Sequence, residues 1–166
     1  MSATEKMTAR AKVLTVSDGV VDGTRDDKSG RALVVQLSDA GYEVVEQRVC
    51  ADGVESVADA LRLLTDGFAG LVLTTGGTGF GPRDLTPEGT RAVLEREAPG
   101  IAEAIRRVSD GDGRGFGMLS RGVAGTRGAV LICNLPGSTG GAQEGLDVLL
   151  PIAAHALDLL AGGHPH

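Results

Sequence analysis

Gly70-Leu71-Val72-Leu73-Thr74-Thr75-Gly76-Gly77-Thr78-Gly79 passes without a break from an apolar run into a glycine loop. A short, continuously apolar run is the mark of a strand covered on both faces. Val13-Leu14-Thr15-Val16 and Ala129-Val130-Leu131-Ile132-Cys133 carry the same mark. Tyr42 to Cys50 is β-branched with partial alternation, which predicts an outer strand. Between the strands the period changes. Leu33, Val34 and Leu37 recur at helical spacing, and Gly41 stops that helix. Val57, Ala60, Leu61 and Leu64 line a second helix, with Asp52 and Glu55 at capping-box spacing at its start. Thr86 as N-cap and Pro87 as first helical residue open a third, which carries Ala92, Val93 and Leu94 and ends at Pro99. Ile101 to Val108 predicts a short helix, and Ala142 to Leu160 a long one with a local kink at Pro151. Alternating strands and helices of this kind predict a single α/β domain over residues 11–161. It has three layers, a mostly parallel central sheet flanked by helices. Residues 1–10 and 162–166 are expected to be flexible, and the Gly/Asp-rich stretch from Ser109 to Gly117 mobile.

Composition narrows the function classes. The 166 residues hold four aromatic side chains, Tyr42, Phe68, Phe80 and Phe116, so the core must be built from Leu, Val, Ile and Ala. The chain lacks the aromatic platforms on which bases stack. Its net charge of −6 is the wrong sign for tracking phosphate backbones, so no nucleic-acid partner is expected. Cys50 and Cys133 stand in separate apolar runs with no CxxC, which reads as buried core thiols of a reducing compartment. The N-terminal stretch has no apolar h-region. The longest apolar stretch, Val148 to Leu160, is interrupted by Pro151, His155 and Asp158. A cytoplasmic protein with no membrane partner is the expectation.

In open α/β sheets, ligands bind beyond the carboxyl ends of the strands. Three loops leave such ends. The first carries Ser17-Asp18 and then Asp26-Asp27-Lys28-Ser29-Gly30; the second is Gly76 to Asp84; the third is Asn134-Leu135-Pro136-Gly137-Ser138-Thr139-Gly140-Gly141. Two are glycine-rich and lead into helices, which offers unpaired amides to an anion and points to a phosphate-bearing ligand. The P-loop and dinucleotide fingerprints are absent, as are HExxH and GxSxG. Asp84 is either a solvated loop carboxylate paired with a neighbouring arginine or a carboxylate that holds Mg2+ against a polyphosphate. Asp52 is either a helix cap or a functional group; Asp27 and Ser29 could merely cap the helix near Gly30. Ser120-Arg121 reads as a surface turn.

The segment Thr74-Thr75-Gly76-Gly77-Thr78-Gly79-Phe80-Gly81-Pro82-Arg83-Asp84-Leu85-Thr86-Pro87-Glu88 closely resembles the signature of the molybdopterin adenylyltransferases of molybdenum-cofactor biosynthesis, relatives of the gephyrin G-domain. The likeness continues in Glu97-Ala98-Pro99-Gly100, Leu119-Ser120-Arg121-Gly122-Val123-Ala124-Gly125, Asn134 to Ser138, and Leu149-Leu150-Pro151. It implies the molybdenum cofactor biosynthesis protein fold and transfer of AMP from Mg-ATP to molybdopterin, with release of pyrophosphate. It implies Asp52 and Asp84 as catalytic and Mg2+-holding residues. Ser120 and Asn134 would meet the pterin. Ser17, Asp27, Ser29, Gly30, Thr75, Gly76, Gly77, Thr78, Gly79, Pro136, Gly137 and Ser138 would serve the substrates. A homotrimer and a transient contact with a downstream metal-insertion enzyme are further implications. A pterin-binding paralogue without turnover and a self-associating scaffold module share most of these motifs. The sequence departs from the family pattern at Ala51, where relatives often carry proline, and Gly53 weakens the helix start beside Asp52.

Overall fold

The chain runs β1 (Arg10–Val16), α1 (Asp18–Asp22), α2 (Lys28–Asp39), β2 (Glu43–Cys50), α3 (Val54–Thr65), β3 (Gly70–Thr75), α4 (Thr86–Arg91), β4 (Arg96–Glu97), α5 (Pro99–Val108), β5 (Ala124–Arg127), β6 (Val130–Leu135) and α6 (Thr139–Leu160). A 3-10 turn lies at Phe116–Leu119. This computed structural model describes residues 8–109 and 113–163. Most of the expected flexible N-terminus and tail, and residues 110–112 of the glycine-rich stretch, lie outside the described residues. The expected N-terminal boundary falls too late, because Arg10 already belongs to β1 and the Ala9 carbonyl accepts from the Glu43 amide.

Six strands form one sheet in the order β2-β1-β3-β6-β5-β4. β1, β2, β3 and β6 are mutually parallel; at one side β5 runs antiparallel to β6, and β4 runs antiparallel to β5. Alternate residues of the central strands feed two cores. Val13, Leu71, Leu73, Leu131 and Leu135 face α2, α5 and α6, where Leu33, Leu37, Ile105, Leu146 and Leu149 meet them. Leu14, Val16, Val72, Val130 and Ile132 face the other way, onto Val57, Leu61 and Leu64 of α3. The sheet is therefore wrapped on both faces, as the unbroken apolar runs require.

Several local expectations are corrected. Helix α4 is short: it ends at Arg91, so Ala92 caps it and Val93 and Leu94 lie beyond it. Strand β6 extends through Asn134 and Leu135, where the sequence predicts a loop. α6 begins at Thr139 and runs unbroken past Pro151. Cys133 is fully buried and its thiol is pushed up to about 12 by burial. Cys50 is only half-buried, at the end of the edge strand β2. Burial first, and the Asp52 carboxylate second, push its thiol up to about 11. Among the described residues no helix is long and apolar enough to cross a membrane.

Candidate functional site

Because β1, β3 and β6 are parallel, the loops after them meet on one rim. They line a cavity of about 530 Å3 together with the starts of α2 and α6. Ser17, Asp27, Ser29, Asp52, Thr75, Gly76, Gly77, Asp84, Gly137 and Ser138 all border it. Three of these close helix starts: Ser17 accepts from the Val20 amide, Asp27 from Gly30 and Ser138 from Gly141. Asp27 also accepts from the Thr15 hydroxyl at 2.9 Å, so its carboxylate is tied to β1. Gly30 is set behind it, where a Cβ would come 2.4 Å from Thr15 Oγ1 and 2.5 Å from Asp27 Oδ2. Asp27 thus forms part of the cavity wall, while Gly30 lies off the lining and leaves room for the Asp27–Thr15 contact. Arg25 and Lys28 stand at its mouth and supply positive charge.

The glycine loop is held by main-chain proximity. Gly76 has φ +101°, and a Cβ there would stand 2.3 Å from the Val16 carbonyl oxygen. Gly77 has φ +68°, and a Cβ there would strike Thr86 Oγ1 at 2.3 Å and approach Asp52 Oδ1 at 3.1 Å. Both positions need glycine for conformation and for space. Thr86 is the first residue of α4 rather than its N-cap. Leu85 holds the cap position, and the Thr86 hydroxyl donates to the Gly76 carbonyl at 2.8 Å. Thr75 donates to the Pro136 carbonyl at 2.7 Å, and Gly137 packs against Gly76, which joins the second and third loops.

Asp52 and Asp84 flank this loop. The capping-box expectation for Asp52 fails: Gly53, at φ +116°, is the cap residue of α3 and has no side chain to offer. Asp52 turns instead across the rim. Its Oδ2 accepts from the Asp18 amide at 2.9 Å, and its own amide donates back to Asp18 Oδ1 at 3.1 Å. Arg83 forks onto Asp18 and donates to the Asp52 carbonyl, and its hydrogen bond holds the Asp18 carboxyl below its usual range. So Arg83 partners Asp18, not Asp84. The Asp84 Oδ2 accepts from the Gly81 amide at 3.0 Å, and a Cβ on Gly79 would stand 3.0 Å from it. Two carboxylates thus border one loop. Among the described residues no group of three or more His, Cys, Asp or Glu side chains could hold a metal on its own. Two carboxylates beside a glycine loop are a donor set that Mg2+ could use, a hard ion that takes one or two carboxylates and completes its shell with phosphate and water.

Ser120 and Asn134 stand apart from that cavity. Asn134 is 4% exposed, with Oδ1 accepting from the Val123 amide and Nδ2 donating to the hydroxyls of Thr74 and Thr90. Its amide is spent on joining β6, β3 and α4. Ser120 is half-buried at the end of the 3-10 turn, and its hydroxyl accepts from the Gly122 amide at 3.4 Å. Thr78 is buried, and its carbonyl accepts from the Arg121 amide. Gly79 and Pro136 also lie off the cavity lining.

Residues 12–155 match the family model described as a probable molybdopterin binding domain. The chain belongs to this family. It is 35% identical to a molybdopterin adenylyltransferase of Helicobacter pylori, over 92% of this chain and 88% of that one. It is 37% identical to a gephyrin of Dictyostelium discoideum over 89% of its own length, but spans only 22% of that longer protein. Among solved structures, the molybdopterin biosynthesis enzyme MoaB of Thermus thermophilus superposes with a TM-score of 0.84 at 44% identity, over 93% of this chain and 97% of that one. The single α/β domain with its mostly parallel sheet is this family's fold. Two residues of the site had been legible only in part. Asp18 stands in the first of the three loops with no role visible in its sequence, and Arg121, which reads as a surface turn, is a hub of the glycine loop.

Proposed function

We propose that this chain transfers AMP from Mg-ATP to molybdopterin in molybdenum-cofactor biosynthesis. The observation that carries the reading is the pair Asp52 and Asp84 on either side of the Gly77–Gly79 loop, in the cavity that the starts of α2 and α6 also line. Nucleotidyl transfer asks for positioning and charge neutralisation rather than a covalent nucleophile. The terminal phosphate of molybdopterin forms a new bond to the α-phosphorus of ATP, and the α–β bridging bond breaks to release pyrophosphate. The loop amides and the helix starts would bind the phosphates. Mg2+, when bound, would neutralise phosphate charge, held by Asp84 and Asp52. Ser120 would serve the pterin side.

Incubation of the protein with α-labelled ATP, Mg2+ and molybdopterin should give labelled adenylyl-molybdopterin and pyrophosphate. Binding of molybdopterin with no label transferred would replace this reading with that of a pterin-binding paralogue. By the same family resemblance we propose a homotrimer, with transient contact to the enzyme that inserts the metal downstream. An apolar groove between α5 and α6, lined by Ile101, Ala104, Val148 and Ile152, supports self-association.

A further inference from the structure

Arg121 makes more cross-element hydrogen bonds in the glycine loop than either flanking carboxylate. Its amide donates to the Thr78 carbonyl at 2.9 Å. Its Nε donates to the Gly79 carbonyl at 2.9 Å and its Nη2 to the Asp84 carbonyl. Nη1 pairs with the Glu88 carboxylate on α4. One residue therefore fixes both ends of the Gly79–Asp84 turn and anchors them to the helix that follows. Within the turn, the Asp84 amide donates to the Gly81 carbonyl and the Gly81 amide to the Asp84 carboxylate. A further side-chain anchor is Arg83, which reaches Asp18 and the Asp52 carbonyl on the opposite side. Ser120, the neighbouring residue, has its carbonyl held with that of Gly122 by Arg106 of α5. The segment is thus braced from one side and itself braces the loop on the other.

We infer that Arg121 is a positioning residue that sets the Gly79–Asp84 turn, and with it the Asp84 carboxylate, for transfer. A planar guanidinium is suited to this because its fork presents several donors in fixed directions. A lysine keeps the charge and the main-chain bond to Thr78 but lacks the planar fork that meets the Gly79 and Asp84 carbonyls and the Glu88 carboxylate together. The inference rests on the adenylyl-transfer reading for its catalytic part and on the loop geometry for its structural part.

The test is Arg121→Lys in the full chain, read by amide hydrogen exchange and by AMP transfer. Exchange should quicken across residues 77–86 and stay slow in β3 and β6, which reports an intact sheet. Transfer should fall by about a hundredfold, the scale of a small misplacement of a reacting group. In an Asp84→Asn background the same substitution should cost little further, because Arg121 acts through Asp84. Unchanged exchange over residues 77–86 overturns the inference. So does an equal fractional loss of transfer in the two backgrounds. If the wild-type protein transfers no AMP while Arg121→Lys still quickens loop exchange, the functional reading fails and the loop-positioning role stands.

Discussion

Asp84 and Asn134 show how differently two polar residues of one rim are used. Asp84 accepts from the Gly81 amide, a bond that an asparagine Oδ1 can also accept. Asp84→Asn should therefore melt close to the wild type while AMP transfer drops by roughly a hundredfold or more, as when a main charge-stabilising contact is removed. Asp52→Asn should behave alike, since its tie to the Asp18 amide also survives. Normal transfer in both variants would remove the carboxylates from the chemistry. Asn134→Ala is the opposite case. It strips partners from the buried Val123 amide and from the Thr74 and Thr90 hydroxyls. Stability should fall by about 1–3 kcal/mol in denaturant titration, the cost of leaving buried polar groups unpaired. An unchanged midpoint would show that Asn134 is not the brace described here. The family resemblance implies Asn134 as a pterin contact; its bracing role is not legible in the sequence, because nothing local marks where β6 ends. Its three partners, in the β5 approach, β3 and α4, become neighbours only through the fold.

At the level of elements, the legible parts were those with a long-range pattern written into them. β1, β3 and β6 announce themselves by continuous apolar runs, and α2, α3 and α6 by helical spacing. The missed elements carry no such pattern: β4 is the dipeptide Arg96–Glu97, β5 reads Ala-Gly-Thr-Arg, and α1 has five residues. They exist because the tertiary frame supplies their partners. The start of α3 was misread for a related reason. Spacing alone cannot say that Gly53 turns the chain and sends Asp52 across to Asp18. The link between α4 and Arg121 also has a pH signature. The Arg121 hydrogen bond holds the Glu88 carboxyl below its ordinary 4.5, so the tie contributes above that value and is lost as pH falls through the lowered one. The melting-temperature difference between wild type and Glu88→Gln should be small at neutral pH, because the pair is partly exposed, and should vanish in acid. A difference that grows below pH 4.5 would contradict this sign.

For the whole molecule, the family places the fold, and the rim where three parallel strands end places the cavity. The proposed homotrimer makes one plain demand: light scattering should return about three times the 16.9 kDa chain mass. A single-chain mass at micromolar concentration would leave the α5–α6 groove without its proposed cover. The order of the sheet bears on how copies can meet. Its two outermost strands are β2 and β4. β2 carries Glu43, Glu46 and Arg48, with Glu46 paired to Arg48 and to Lys12, while β4 is two exposed charged residues long. Such short or charged margins discourage another chain from adding a strand. Edge-to-edge growth of the sheet is thus disfavoured, which biases an aliphatic protein with hardly any aromatic residues away from amyloid-like stacking and toward association through its helices.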